Sequence, residues 1–351
     1  MKKNMRYLIL SLMIVFICGI IVFILIKVFS KNNTEEEINE TNEPVIVKKL
    51  KIINEDSNSR PYAIVINNYP SAMKVQAGLN DAYIIYEFPI EGGYSRSLAL
   101  YKDKTTELIG TLRSARQNYI DYALENDAIF VSWGTNKPAV EAINSNDVVH
   151  IDGNVVTKPF FRQNPEKLSR EHTGYTNLVT LIDYATNDRK IRQTTDVKPA
   201  IKYSVDELRL DGYEDAVVAN DIYLPYSNSY KLHYYYNVET GLYERTYNGK
   251  EHKDYYNGER FTTKNILIVR NSTGKTTGYR DSAGNEYLDL KNIGDGDGYF
   301  ITNGYARKIY WHKDSRKAQT TYKYEDGTEV KVNDGKTYIN HFPAGRDFSI
   351  N

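Results

Sequence analysis

Tyr62-Ala63-Ile64-Val65-Ile66-Asn67 and Tyr83-Ile84-Ile85-Tyr86-Glu87-Phe88 are runs of β-branched and aromatic residues, the composition of β-strands. Residues 97–101 and 128–133 read as two more short strands. Between these two, residues 114–126 change to helical periodicity, with Tyr119, Tyr122 and Ala123 on one face. Residues 137–144 and 176–187 are further helix candidates, with Pro138 in a first turn and Thr176 as a cap. Strands alternating with helices predict a mixed α/β segment over residues 60–195.

Past residue 196 the pattern changes. Short strands are expected at 216–223, 231–236, 242–247, 264–270, 299–302, 306–311, 321–324, 329–332 and 337–340. Asn248-Gly249, Asn303-Gly304, Asp326-Gly327 and Asp334-Gly335 supply turns between them. Residues 196–351 are therefore predicted to be mostly antiparallel β, and the whole body α+β.

Ahead of the body, an uncharged apolar run extends from Tyr7 to Ile26. At about 1.5 Å per helical residue, roughly twenty residues cross the ~30 Å hydrocarbon core. The run is longer than a signal-peptide apolar region, and no Ala-x-Ala-like site follows it. Residues 1–30 are thus expected to be a cytoplasmic flank and a transmembrane anchor. Lys2, Lys3 and Arg6 precede the run; Lys27 and Lys31 follow it, a modest bias, but Glu35, Glu36, Glu37, Glu40 and Glu43 come at once after them. Basic flanks stay inside, so a cell-membrane protein of single-pass topology is expected, its N-terminus cytoplasmic and its body outside. Residues 31–59, rich in Asn and Glu, read as a flexible acidic stalk. Cys18 is the sole cysteine, preceded by Phe16-Ile17 rather than by a lipidation motif. It rules out an intrachain disulfide and a thiolate metal cluster.

The chain carries 45 basic and 45 acidic residues, so it has no global basic field of the kind nucleic-acid binding requires. Its 31 tyrosines suit half-buried strands and ligand surfaces. Ser71-Ala72-Met73-Lys74 matches a serine-nucleophile pattern, but the companion elements are missing: Lys275-Thr276-Thr277-Gly278 has one residue too many. Gly294-Asp295-Gly296-Asp297-Gly298 lacks the later ligands of a calcium loop and reads as a glycine-rich hairpin loop. No metal site and no cofactor is expected.

The sharpest local signal is Arg113-Ser114-Ala115-Arg116-Gln117. Ser114 with Gln117 has capping-box spacing, so a helix should begin there. Two arginines at the positive end of a helix are unfavourable unless an anion answers them. That anion is either a ligand group or an internal carboxylate such as Glu87 or Glu91. Glu91-Gly92-Gly93-Tyr94-Ser95-Arg96 contributes a third guanidinium, Arg96. A second basic stretch, with Lys158, Arg162, Arg170 and His172, is interleaved with Phe160, Phe161 and Tyr175. Aromatics beside cations suit a sugar, an anionic polymer or a protein partner. Arg96, Arg113, Ser114, Arg116, Arg162 and Arg170 are the candidate ligand-binding residues. Glu87, Glu91 and His172 are the weaker candidates for acid–base chemistry.

These blocks resemble a known family. Ile66-Asn67-Asn68, Gln76-Ala77-Gly78-Leu79, the Glu91–Arg96 and Arg113–Arg116 blocks, Glu171-His172 and Trp311-His312-Lys313 are similar to those of the YerB-like predicted lipoproteins of Gram-positive bacteria. The resemblance implies a two-domain extracytoplasmic protein whose domains have no known function. Asn67 stands where the family usually has Asp, and Glu171-His172-Thr173 where it has Pro-His-Asn. A membrane helix replaces the lipidation site. The function expected first is a membrane-anchored protein that binds a small anion, an anionic envelope polymer or a protein partner. An envelope hydrolase and a structural or assembly factor are the alternatives.

Overall fold

A computed structural model describes residues 2–31 and 48–351; most of the expected stalk, residues 32–47, lies outside the described residues. The chain divides into two units, Met1–Val47 and Lys48–Asn351. In the first, helix α1 runs over Lys2–Lys31. Its Ser11–Val28 portion is long and apolar enough to cross a membrane, and none of it is buried.

The second unit is built on an eleven-stranded sheet. Its strands are β1 (Tyr62–Asn67), β2 (Ile84–Pro89), β3 (Ser95–Tyr101), β4 (Ile129–Ser132), β5 (His150–Asp152), β6 (Val217–Val218), β7 (Asn265–Asn271), β8 (Gly294–Thr302), β9 (Tyr305–Lys313), β10 (Thr321–Lys323) and β11 (Thr337–Pro343). The order is β6-β9-β8-β7-β11-β2-β3-β1-β4-β5, with β10 beside β9. β1, β4 and β5 run parallel to one another. β11 runs parallel to both β2 and β7, and the β7-β8-β9 ladder is antiparallel. The fold is α+β, mainly antiparallel in its C-terminal part. Strands from the two halves of the sequence meet at β2 and β11, paired from Ile84↔Thr337 to Glu87↔Asn340.

Side chains alternate across a strand, so each face of the sheet collects every second residue. Ala63, Val65, Ile84, Tyr86 and Phe88 face a layer containing Tyr119, Ile120, Tyr122 and Ala123 of helix α2 (Gln117–Glu125) and Ala139 of helix α3 (Lys137–Ser145). Ile64, Ile66, Ile85 and Ala99 face the other way. They pack with Leu178 and Leu181 of helix α4 (Leu178–Asp183) and with a second sheet. The central strands of that sheet are Asp221–Pro225, Lys231–Asn237 and Leu242–Tyr247. Coverage on both faces explains why β1 and β3 are buried along their whole length.

Several expectations change. The first residues after 47 are part of the body rather than of a stalk: Leu50 and Ile53 are buried, and the backbone N–H groups of Lys51 and Ile52 donate to Asp334. Asn177, not Thr176, caps α4, because Thr176 ends a strand, Gly174–Thr176. Gly294–Gly298 is no loop. It pairs from Gly294↔Lys313 to Gly298↔Ile309, where a Cβ at Gly296 would meet the Trp311 ring at 2.4 Å. The two-stranded hairpin Thr273–Arg280/Glu286–Leu290 was not anticipated.

Polar groups hold the layers together. Glu87 on β2 is 0 % exposed and faces the second sheet. Its carboxylate accepts from Arg245 Nη2 at 2.7 Å, Tyr230 Oη at 2.9 Å and Ser95 Oγ at 2.5 Å. Arg245 is 1 % exposed and also meets His252 Nδ1 at 2.5 Å. On the opposite face Glu125, at the end of α2, accepts from Lys313 Nζ at 2.6 Å, Tyr86 Oη at 2.8 Å and Thr320 Oγ1 at 2.8 Å. Removing one partner of such a pair strands the other charge, at a cost of about 3–5 kcal/mol, whereas removing both is far milder. Arg245→Met should therefore lower unfolding stability in urea by that amount. Adding Glu87→Gln to it should recover a substantial part, and no recovery would show that the pair carries no such penalty.

Candidate functional site

Three parallel strands, β1, β4 and β5, end on the same side, at Asn67, Ser132 and Asp152. In open α/β sheets the crevice outside the carboxyl ends of the strands is where ligands bind. Here the chain leaves β4 as Trp133-Gly134 and β5 as Gly153-Asn154. Residues 112–114 cross the same end: Arg113 N–H donates to Val65 O, and Trp133 N–H to Arg113 O. The Phe160–Arg162 strand and the Arg170–His172 turn close the rim. A cavity of about 440 Å³ results, lined by Arg113, Ser114, Trp133, Asn154, Arg162, Arg170 and Glu171 among others.

Four of the six expected ligand-binding residues meet in this cavity: Arg113, Ser114, Arg162 and Arg170. Arg162 and Arg170 are exposed and Arg113 is half-buried. Arg162 lies over the Trp133 ring, 4.1 Å from its centroid, and its Nη1 donates to Arg170 O at 2.6 Å and Thr173 Oγ1 at 3.1 Å. Neither Arg113 nor Arg170 has an ion-pair partner among the described residues. Burial, opposed by the Glu171 charge, holds Arg113 below the usual arginine range. Glu171 is held below the usual carboxylate range, first by a backbone hydrogen bond, so it is ionised at neutral pH.

The other two arginines are structural. The capping box does not form: α2 begins at Gln117, Arg116 occupies the cap position, and Ser114 Oγ donates instead to Trp133 O at 3.4 Å. Arg116 turns away from the cavity and grips Glu91, with Nε 3.1 Å from each carboxylate oxygen and Nη2 bonded to Oε1. Gly92 and Gly93, at φ 74° and 79°, let the chain turn Glu91 back towards it. Burial opposes both charges, but the pairing outweighs it: Arg116 is raised and Glu91 lowered from their ordinary values. Arg96 is 5 % exposed and donates to Ser114 O at 2.6 Å. Burial, with the Arg116 charge second, lowers it to about 9.

The acid–base candidates occupy three separate groups. Glu87 belongs to the Arg245 cluster and Glu91 to Arg116. His172 is 6 % exposed; its Nδ1 accepts from Asn67 Nδ2 at 2.9 Å and its ring stacks on Tyr69 at 5.0 Å. Burial and then the Arg113 charge lower its pKa, so it is neutral at pH 7. Sequence reading missed Trp133, Asn154 and the cavity-facing role of Glu171. Only the fold reveals that residues 112–114, 133, 154 and 162–174 share one strand end.

Fold and site define a class: an apolar N-terminal helix, then a sheet-centred body with a basic cavity at a strand end. Family models described as "Protein of unknown function (DUF3048) N-terminal domain" and "Protein of unknown function (DUF3048) C-terminal domain" match residues 50–192 and 222–339. The chain belongs to this family. It is 28% identical over 309 residues to a protein of Bacillus subtilis (strain 168) described as "Putative lipoprotein YerB", covering 84% of each chain. The crystal structure of YerB protein from Bacillus subtilis is similar with a TM-score of 0.70 and 25% identity, over 84% of this chain and 94% of that one. The cavity falls wholly within the N-terminal family segment.

The two kinds of arginine are separable. Arg116→Ala should destabilise the ligand-free protein by about 3–5 kcal/mol in urea, as expected for a broken buried pair. Arg113→Ala should cost less than about 1 kcal/mol, since it leaves no buried charge unpaired. Equal effects would contradict this division.

Proposed function

We propose that the protein is a cell-membrane-anchored, extracytoplasmic binding protein whose arginine-lined cavity takes an anionic ligand, either a small anion or an acidic polymer of the envelope. One observation carries this reading: three guanidinium groups share a 440 Å³ cavity with a single carboxylate, and none of the three has an ion-pair partner within 4 Å among the described residues. Clustered like charges are costly without a counter-charge, and arginine forks grip carboxylates and phosphates with two bonds at once. The position at the ends of parallel strands supports the same reading by analogy of fold. Separation of Glu87, Glu91 and His172 into different hydrogen-bonded groups disfavours the hydrolase alternative.

Phosphate or a teichoic-acid fragment should raise the melting temperature of the protein, and increasing salt should diminish the effect. Arg113→Ala with Arg170→Ala should weaken binding at least tenfold, since hydrogen bonds to charged groups contribute ~1.5–3 kcal/mol each. Unchanged affinity in the double variant would remove the cavity from the account.

Anchoring rests on α1 and on the lipoprotein description of the relative. In the proposed topology α1 spans once, Lys2, Lys3 and Arg6 stay in the cytoplasm, and the body lies outside. Protease added to wall-stripped intact cells should digest residues 60–351. Protection until lysis would reverse the orientation. Cys18→Ser should leave membrane association unchanged.

A further inference from the structure

Glu171 is out of place in a simple anion site. It is ionised, it faces the cavity, and it would repel the ligand that Arg113 and Arg170 attract. Its nearest cationic candidate, His172 Nε2, stands 4.0 Å away on a ring held neutral by burial. With Asn67 Nδ2 donating to Nδ1, that ring carries its one proton on Nε2. The Glu171 carboxylate accepts from a backbone N–H and from the Ser169 side chain, and with about four acceptor sites it keeps capacity towards the cavity. A ligand that satisfies both ends carries a negative group and, several ångströms away, hydrogen-bond donors.

The wall between these ends is flat and aromatic. The Trp133 indole is half-buried and lies against backbone that leaves no room for side chains. A Cβ at Gly174 would sit 2.4 Å from the indole Cε3, and one at Gly153 2.8 Å from Cδ2. Arg162 stacks over this indole, its guanidinium 4.1 Å from the ring centroid, and so carries the flat surface out to the cavity. The exposed Asn154 amide adds both a donor and an acceptor at the rim. Pockets for organic ligands pair such an apolar surface with a few placed polar groups. A bare phosphate uses neither the flat wall nor the carboxylate.

Building on the proposed anion-binding role of this cavity, we infer that its ligand is an acidic saccharide. Arg113 and Arg170 hold the carboxylate or phosphate of the sugar. The apolar face of the sugar ring lies on the flat Arg162 guanidinium that Trp133 backs, and Glu171 and Asn154 take its hydroxyl groups.

The test uses the full chain in lipid nanodiscs with Trp311→Phe, which leaves Trp133 as the one tryptophan of the two to report binding. Trigalacturonic acid and inorganic phosphate are titrated separately. Trigalacturonate should bind at least tenfold more tightly than phosphate and shift Trp133 fluorescence. Glu171→Gln, at a side chain 47% exposed and so without effect on folding, should weaken trigalacturonate at least fivefold yet tighten phosphate, whose repulsion it removes. Arg113→Ala should weaken both. If Glu171→Gln tightens both ligands, or if phosphate binds as well as trigalacturonate, the saccharide assignment is overturned while the anion site survives. If neither ligand binds, both fail.

Discussion

A carboxylate with no exposed surface needs a partner in the fold, and Glu87 has Arg245. Desolvation of the two charges costs several kcal/mol each, and only close geometry with further hydrogen bonds offsets it. Ser95, Tyr230 and His252 complete that geometry. The pair joins β2 in the first half of the sequence to the Leu242–Tyr247 strand in the second. Glu125 and Lys313 do the same on the other face of the sheet, each 0% exposed. Sliding or separating the halves would strand four charges at once. The two family segments thus meet in one sheet with a polar bolt through each covering layer.

This rigidity bears on the cavity. Glu91 follows β2 directly, so the strand that presents Glu87 to Arg245 also delivers Glu91 to Arg116. With Arg116 neutralised internally, the charge left at the strand end is that of Arg113, Arg162 and Arg170 against Glu171 alone. Tyr287, on the hairpin from the C-terminal half, covers the Arg116 guanidinium at 4.9 Å. The C-terminal half therefore supports the N-terminal site without lining the cavity.

Much of the fold could be read from local pattern. β1, β2 and the antiparallel strands after residue 216 announced themselves by β-branched and aromatic runs between turn residues, and Pro138 marked the start of α3. What failed was whatever depended on distant partners. Ser114 has ideal capping-box spacing, yet the strand-end crossing of residues 112–114 holds it outside the helix. Gly294–Gly298 looked like a loop because glycine is poor in strands, but the Trp311 ring opposite fills the space its side chains would need. The arginines were visible as candidates, but their sorting was not. Arg116 and Arg113 are three residues apart, and only the turn at Gly92-Gly93 decides which one meets a carboxylate.

The central claim is that buried ion pairs make the two sequence halves unfold as one. Each half holds one of the two tryptophans, Trp133 beside the cavity and Trp311 in β9. Single-tryptophan variants, Trp311→Phe and Trp133→Phe, can be unfolded in urea while fluorescence and far-ultraviolet circular dichroism are followed together. Coincident transitions by both probes in both variants are the predicted result. A fluorescence transition that precedes loss of secondary structure in either variant would mean that one half unfolds alone, and the account would be wrong.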